Sequence, residues 1–264
     1  MKVLIKLGGT LLDDAFKRRD MARQLSTVAK QFELVVVHGG GKQVTRFLEE
    51  RGVQSRFSGG LRVSDETVID AVSKVIAGSV NKQLVSAMTA AGQLAVGLSG
   101  VDGLLTSAEP LDLERLGFVG KPTGTDGKLF QLLGDSGYVP VVACIAGDRN
   151  GNIYNVNADQ MAVSCALGWS ADKLLFLTDV PGVKGQDGAV VAHLTPPGVL
   201  ELVASGVAHG GMQAKLEAAV WSLESGLSEV VIASGQEPEI CGRLLRGESL
   251  GTRLTVSAGK GEAA

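Results

Sequence analysis

Cysteine is scarce in this chain of 264 residues: Cys144, Cys165 and Cys241 are odd in number, far apart and set among apolar residues, and no CxxC pair occurs. That pattern excludes a disulfide framework or a zinc site and fits buried, reduced thiols. An excess of basic residues is also missing. Lys+Arg 25 against Asp+Glu 28 leaves a net charge of −3, so no overall positive field awaits a nucleic-acid backbone, and any cations that matter act locally. No apolar run reaches the ~18 to 20 residues of a membrane span, and the N-terminus enters a strand pattern without the charged, apolar and cleavage segments of a secretory signal. These absences together predict a cytoplasmic protein that contacts neither membrane nor nucleic acid. Internal repeats and low-complexity runs are absent too, apart from the tail Ser257-Ala258-Gly259-Lys260-Gly261-Glu262-Ala263-Ala264, which is expected to fray.

What is present is apolar bulk in short runs. The chain is 45% hydrophobic, enough to bury a substantial core as one large α/β domain or two small ones. Val/Ile/Leu-rich segments alternate with longer amphipathic ones, the pattern of βαβ units around an open, largely parallel sheet sandwiched between helices. Strands are expected near residues 2–7, 34–38, 94–98, 139–142, 173–178, 229–233 and 252–256. Helices are expected at 14–30, 43–51, 65–91 with a break near Gly78, 128–136, 158–167, 197–205, 211–224 and 237–245. Residues 55–63, 101–122 and 144–156 break this rhythm, and the turn residues of the last two suggest hairpins forming a lid over one end of the sheet. A boundary falls near Gly168–Ala171, dividing the chain into residues 1–170 and 171–264.

Two apolar runs end in glycines: Lys2-Val3-Leu4-Ile5-Lys6-Leu7 before Gly8-Gly9, and Val35-Val36-Val37-His38 before Gly39-Gly40-Gly41-Lys42. Open parallel sheets bind ligands at the carboxyl ends of their strands, where a glycine loop leading into a helix leaves N–H groups free for an anion. Tight strand-to-helix packing would demand glycine as well, so one loop alone decides nothing. Two loops on neighbouring strands, with Lys6, His38 and Lys42 beside them, favour an anion site. The second loop is no Walker A motif, since Gln43 follows Lys42 and the glycine spacing is too short; neither loop fits G-x-G-x-x-G, which argues against a dinucleotide-binding oxidoreductase. Farther on, Asn155-Val156-Asn157-Ala158-Asp159-Gln160 places Asn155 and Asn157 on one face of an extended segment, with Asn157 suited to cap the next helix. Asp159 would then sit in its favoured first turn. Lys215 lies inside the helical stretch Gly210–Ala219, where a lysine is ordinarily solvated.

Taken together, Lys6–Thr10, Val36–Val44, Gly60–Asp65, Asn81-Lys82, Ala95–Gly103, Asn155–Ala162, Leu177–Val183 and Gly210–Ala219 resemble the motifs of the amino acid kinase family, in family order and over nearly the whole chain. Within that family they are most similar to the branch that phosphorylates N-acetyl-L-glutamate in arginine biosynthesis. The resemblance implies transfer of the γ-phosphoryl group of ATP to a side-chain carboxylate, with Mg²⁺ carried on the nucleotide. Such a reaction explains a site without a general base: a carboxylate is already ionised at neutral pH, and the difficulty is bringing it to an anionic phosphoryl group among fixed cations and N–H donors.

By the same resemblance, Lys6 and Lys215 flank the transferring group, Asp159 holds them, and Gly9 supplies a backbone donor. Gly40, Gly41, Arg62, Asn155 and Asn157 meet the substrate. Arg62 can offer a bidentate fork to its α-carboxylate, although a salt bridge to Asp65 or Glu66 would explain this arginine equally well. Gly8, the run Asp179, Val180, Pro181, Gly182, Val183 and Lys184, and Val207, Ala208 and His209 match nucleotide-binding segments. No protein ligand set for a metal is expected. Residues 1–170 would form the amino-acid lobe and 171–264 the ATP lobe. Two alternatives within the fold are a kinase for carrier-protein-bound aminoadipate or glutamate and a silent amino-acid sensor; the presence of Lys6, Lys215 and Asp159 argues against the sensor. Val68, Val72, Val75 and Ile76 stand at helical spacing, which core packing would explain; in the fold that the resemblance implies, this helix commonly lies near a two-fold interface, so a homodimer is expected. Relatives inhibited by arginine carry a helix ahead of the first strand, and Met1 here leads directly into that strand, so insensitivity to arginine is the expectation.

Overall fold

Runs of β-branched and aliphatic residues pair as a buried parallel ladder in the computed structural model, which describes residues 1–257. The tail beyond Ser257, expected to fray, lies outside the described residues. The first half of the chain runs β1 (Lys2–Leu7), α1 (Ala15–Ala29), β2 (Glu33–His38), α2 (Gly41–Glu49), β3 (Phe57–Ser58), β4 (Leu61–Arg62), α3 (Glu66–Val72), a π-helical stretch (Ser73–Val80), α4 (Asn81–Ala90) and β5 (Ala95–Ser99). There follow β6 (Thr106–Pro110), α5 (Leu113–Leu116), β7 (Val119–Thr125), α6 (Lys128–Asp135), β8 (Val139–Ala143), β9 (Ile145–Gly147), β10 (Ile153–Val156) and α7 (Ala158–Gly168). The last part contains β11 (Lys173–Thr178), β12 (His193–Leu194), α8 (Pro196–Ala204), α9 (Gly210–Glu224), β13 (Glu229–Ser234), α10 (Ile240–Leu245) and β14 (Thr252–Leu254).

Eight strands form one sheet in the order β12-β14-β13-β11-β1-β2-β8-β5. Pairing is parallel except at β13 and β14. β1 lies in the middle, with Leu7 level with His38 on one side and Leu177 on the other. The chain leaves β1 for β2 on one flank and later returns to β11 on the opposite flank. This reversal opens a crevice at the carboxyl ends of β1, β2 and β11, the usual ligand position of such sheets. Short polar side chains start several of the helices. Asp14 accepts from the Lys17 N–H at 2.8 Å, Asp65 from Val68 at 3.0 Å and Asn157 from Asp159 at 2.8 Å, each satisfying a backbone donor that the first turn leaves free.

The hairpins expected at 101–122 and 144–156 are present as β6–β7 and β9–β10, and they join into one small closed barrel of four strands in the order β10-β7-β6-β9. β9 follows β8 after a single residue, which attaches the barrel to the carboxyl end of the main sheet. Residues 55–63 hold a third hairpin, β3–β4. One expectation fails. The helix at 65–91 does not break near Gly78; it runs through, and its middle turns widen from α to π, with the Asn81 N–H reaching the Ile76 carbonyl five residues back. Glycine there relieves the helix of a side chain without ending it. The helix expected at 237–245 starts only at Ile240, because Glu239 takes a left-handed conformation with φ 54°.

Candidate active site

The carboxyl end of β1 carries Lys6, the first turn of α7 carries Asp159 and the second turn of α9 carries Lys215. These three meet. Lys6 Nζ lies 2.8 Å from Asp159 Oδ1 and Lys215 Nζ lies 2.6 Å from Asp159 Oδ2. The Lys215 contact is a well-directed hydrogen bond, whereas Oδ1 lacks one and is held to Lys6 by charge. Both lysines are only 8% exposed, so Lys215 is not the solvated helix lysine that sequence alone suggests. Its ammonium also lies 5.1 Å from the centre of the Phe176 ring, where a cation is attracted to the aromatic face.

Charge explains the arrangement. Burial raises the Asp159 pKa, but Lys6 and Lys215 outweigh burial and bring it down to about 2. Burial and repulsion from Lys6 lower the Lys215 pKa, while Asp159 and the nearby Asp179 oppose that shift. Two cations around one carboxylate leave a net positive charge of one in a dry place, an arrangement completed by an incoming anion. At about 2 the Asp159 carboxylate stays ionised and is a weak base, and both of its oxygens lie against lysines that it holds together.

The glycine loops divide by what a side chain would meet. A Cβ on Gly39 would lie 3.3 Å from Ala158 Cβ, and one on Gly40 would lie 3.2 Å from Ile76 Cγ1 and 3.4 Å from Val80 Cγ2. These two glycines permit close packing. At Gly9 the nearest atom to such a Cβ would be 3.7 Å away, and at Gly41 nothing lies within 4 Å. Packing within the protein therefore does not require glycine at either position, and neither has a positive φ. Their bareness leaves room for a ligand. Gly8 N–H donates to the Leu177 carbonyl at 2.8 Å, which fastens the first loop to β11, and Gln43 Nε2 donates to the Gly9 carbonyl at 3.3 Å, which ties the second loop to the first. Gly41 opens α2, so a helix N-terminus also faces this space, where negative charge is favoured.

Beside the loops lies a cavity of about 200 Å³ lined by Gly40, Gly41, Arg62, Asn155 and Asn157 among others. All five residues expected to meet the substrate thus face one space, and Ala158, next to Asp159, lines it too. It is smaller than the ~300–1,000 Å³ of sites for drug-sized ligands. Arg62 is 8% exposed and makes no salt bridge to Asp65 or Glu66; Asp65 caps α3 instead. Its guanidinium donates through one terminal nitrogen to the Gly41 carbonyl and to Thr45 Oγ1, both at 2.8 Å, and through the other to Ser55 Oγ, with the Phe57 ring 4.7 Å away. Asn155 Nδ2 donates to Ser64 Oγ at 3.1 Å, and Ser64 Oγ donates to the Arg62 carbonyl at 2.8 Å. Asn157 is a cap, as its position before a helix suggests, and its side-chain oxygen is used by Asp159 and Gln160.

The segments matched to nucleotide binding follow β11 and precede α9. Asp179, Val180, Pro181, Lys184 and His209 are exposed, Val207 is half-buried, and Gly182, Val183 and Ala208 are buried. Val183 N–H donates to Thr252 Oγ1 at 2.8 Å, and a side chain on Gly182 would strike Val190 and Thr252, so these two residues fix the segment. Lys42 is exposed and forms no salt bridge among the described residues. All three cysteines are free and buried, and burial pushes each thiol up to about 12, which makes them poor nucleophiles. No group of three His, Cys, Asp or Glu residues suits a metal ion among the described residues. None of their helices is long and apolar enough to cross a membrane. A groove of about 590 Å³ between α1 and α4 shares no lining residue with the cavity beside the loops.

Residues 1–234 match the model of the amino acid kinase family. The chain belongs to that family. A protein of Solibacter usitatus named acetylglutamate kinase is 53% identical over 258 residues, covering 97% of this chain and 100% of the relative. One of the same name from Geobacillus kaustophilus is 41% identical over 235 residues, 89% of this chain and 90% of its own. Among solved structures, smu.665 from Streptococcus mutans superposes with a TM-score of 0.81 at 27% identity, covering 97% of this chain and 98% of that one. The carbamate kinase of Giardia shares the fold with a TM-score of 0.70 at 17% identity over 97% and 99% of the two chains. The parallel sheet between helices expected from sequence is therefore the amino acid kinase fold. Kinases of this family use ATP, generally with Mg²⁺. Sequence motifs picked out the triad and the cavity; they gave no role to Thr45, Ser55, Ser64 or Asn81, although Ser64 and Asn81 sit inside quoted motifs.

Proposed function

We propose that this chain transfers the γ-phosphoryl group of ATP to the side-chain carboxylate of N-acetyl-L-glutamate, forming an acyl phosphate in arginine biosynthesis. The observation that carries the reading is one small cavity, lined by Gly40, Gly41, Arg62, Asn155 and Asn157, set beside a buried Lys6–Asp159–Lys215 triad of net positive charge. The names of the two kinase relatives support it. A substrate carboxylate placed at Gly40 and Gly41 faces the triad without a base to deprotonate it. Lys6 would offset charge on the transferring oxygens and Lys215 charge growing on the leaving oxygen, both prearranged by Asp159. The backbone N–H of Gly9 adds a donor where a Cβ would intrude.

The nucleotide would lie along Gly8, Asp179–Lys184 and Val207–His209, close to Lys215. Exposed Asp179, Lys184 and His209 can meet its polar groups, while Gly182, Val183 and Ala208 can offer only backbone. The triad's surplus positive charge and the nearby helix N-termini fit nucleotide phosphates. Mg²⁺ carried on those phosphates would neutralise part of their charge. Residues 1–170 then act as the amino-acid lobe and 171–264 as the ATP lobe of a structure whose sheet is continuous across β1 and β11. The enzyme works as a cytoplasmic homodimer in this reading, the buried free thiols fitting a reducing compartment; a monomer mass by light scattering would refute the dimer.

A hydroxamate assay for acyl-phosphate formation with MgATP tests the proposal. N-Acetylglutamate should give product at least about tenfold faster than glutamate or aspartate at equal concentration. Equal rates, or product only with a carrier-bound substrate, would overturn it.

A further inference from the structure

His38, the last residue of β2, is fully buried and has no part in the chemistry described above. Its ring nevertheless sits at the root of the second glycine loop. Nδ1 lies 2.9 Å from the carbonyl oxygen of Gly39, and Nε2 lies 3.0 Å from Nδ2 of Asn81. A carbonyl can only accept, so Nδ1 carries the proton, and Nε2 is left to accept from the Asn81 amide. The amide orientation is fixed independently: Asn81 Nδ2 also donates to the Val141 carbonyl at 2.9 Å, while Oδ1 receives Lys82 Nζ at 3.3 Å. Asn81 is itself fully buried. It occupies space vacated by Gly97 on β5, where any side chain would collide with its carboxamide.

The placement of Asn81 depends on the helix before it. The π-helical stretch Ser73–Val80 ends at Asn81, and the same stretch presses Ile76 and Val80 against Gly40. Wide turns of this kind shift the register of the residues that follow, and they recur at functional sites. A planar trans peptide links Gly39 and Gly40, so holding the Gly39 carbonyl toward the His38 ring turns the Gly40 N–H the opposite way. Among the described residues no loop or side-chain hydrogen bond occupies that N–H, and Gly40 lines the substrate cavity.

We infer that Asn81 and His38 are positioning residues: the π-helical turn sets Asn81, Asn81 fixes the ring of His38, and the ring fixes the Gly39–Gly40 peptide so that its N–H serves the reacting carboxylate or phosphoryl group. A neutral ring suits the task. Burial, with a smaller contribution from Lys82, lowers the pKa of His38 to about 4 despite the hydrogen bond to Gly39, so the ring stays neutral throughout the neutral range, and its two hydrogen bonds select the tautomer. Lys82 on α4 is the charged group that acts on it.

The kinetic part of this inference rests on the proposed phosphoryl transfer, whereas the state of the ring does not. Long-range proton–nitrogen NMR of the imidazoles, with only three histidines to assign, should show His38 as the Nδ1–H tautomer, without titration between about pH 8 and 5.5. In Asn81→Ala the ring should lose its single tautomer or begin to titrate in that range. The kcat of this variant with N-acetylglutamate should fall at least about tenfold while the KM for ATP stays within about twofold. A merely structural Asn81 would lower Tm and leave kcat of the folded variant intact, which would overturn the inference. An Nε2–H tautomer or a pKa near 6.5 in the unaltered protein would overturn it as well, and that measurement decides the matter even if Asn81→Ala does not fold. Absence of any turnover of N-acetylglutamate by the unaltered enzyme would refute the proposed reaction and leave the ring state to be judged by NMR.

Discussion

The two ends of the site are built in opposite ways. At the end proposed to handle the phosphoryl group, each member of the Lys6–Asp159–Lys215 triad stands on a main element of the fold, β1, α7 or α9, and both lysines are held by the single carboxylate of Asp159. At the end proposed to hold the amino acid, Arg62 stands on a two-residue strand of a small hairpin, beside an exposed Phe57, and its terminal nitrogens donate to Gly41, Thr45 and Ser55. The difference separates two tasks. Charge that develops only during transfer is best met by groups that need not move, while a substrate that must enter and leave is met by a piece of the fold with few contacts of its own. The first end should therefore govern kcat and the second KM.

The sharpest way to break this division is Lys215→Ala. If Lys215 acts on the leaving oxygen as proposed, removing its cation should lower kcat by about 100-fold or more and change both KM values modestly. A variant that kept near-normal turnover, or lost only affinity, would dissolve the distinction between the ends. Arg62→Lys makes the complementary test. The charge remains but the planar fork is lost, so steady-state kinetics should show the KM for N-acetylglutamate raised about tenfold, with the ATP KM unchanged. Should both constants rise together, the hairpin would be structural and not selective.

The rigid end was also the more legible in the sequence. β1, β2 and β11 announce themselves as short apolar runs, β-branched in β2 and leucine-rich in β11, and the motifs around Lys6, Asp159 and Lys215 name their residues directly. Sequence did not show that Lys215 is buried, since its helix has apolar and polar residues on all sides and periodicity cannot say which neighbour covers it. At the π-helical turn the sequence suggests a break at Gly78, because glycine lowers helix propensity; packing of Val75, Ile76 and Val80 into the core outweighs that preference. Partners of Arg62 were illegible for another reason. Thr45, Ser55 and Gly41 lie 17, 7 and 21 residues away, and nothing in the type of a Ser or Thr reveals which distant guanidinium it meets.

A smaller effect separates the two ends by pH. The His38 ring takes its proton at about 4 in the folded protein against 6.5 for an unperturbed ring. As pH falls below about 6.5 the unfolded chain binds a proton that the native state refuses, so stability declines down to about pH 4. Asp159, at about 2 against 3.8, adds its own loss only between about pH 4 and 2. Denaturant titrations should thus show stability falling by about 1 kcal/mol per pH unit between pH 6 and 4.5, from His38, and His38→Asn should flatten that segment. An equally steep segment in the variant would assign it to other groups.

The smallest expected effects concern neighbouring glycines and sharpen the comparison most finely. Gly40→Ala places a methyl group 3.2 Å from Ile76 Cγ1 and 3.4 Å from Val80 Cγ2, both in the packed core, so it should cost about 1 kcal/mol or more of stability. Gly41→Ala places the same group in open space at the first position of α2. There alanine restricts the unfolded chain and favours the helix, and stability should hold or rise by a few tenths of a kcal/mol. If the space at Gly41 belongs to the substrate, this stable variant should still lose activity several-fold, mainly through the KM for N-acetylglutamate. Thermal melts and steady-state kinetics on the pair separate the roles: a lowered Tm at residue 40, with an unchanged Tm and impaired binding at residue 41, is the expected outcome. Full activity of Gly41→Ala would show that the open space beside the loop is not where the substrate approaches.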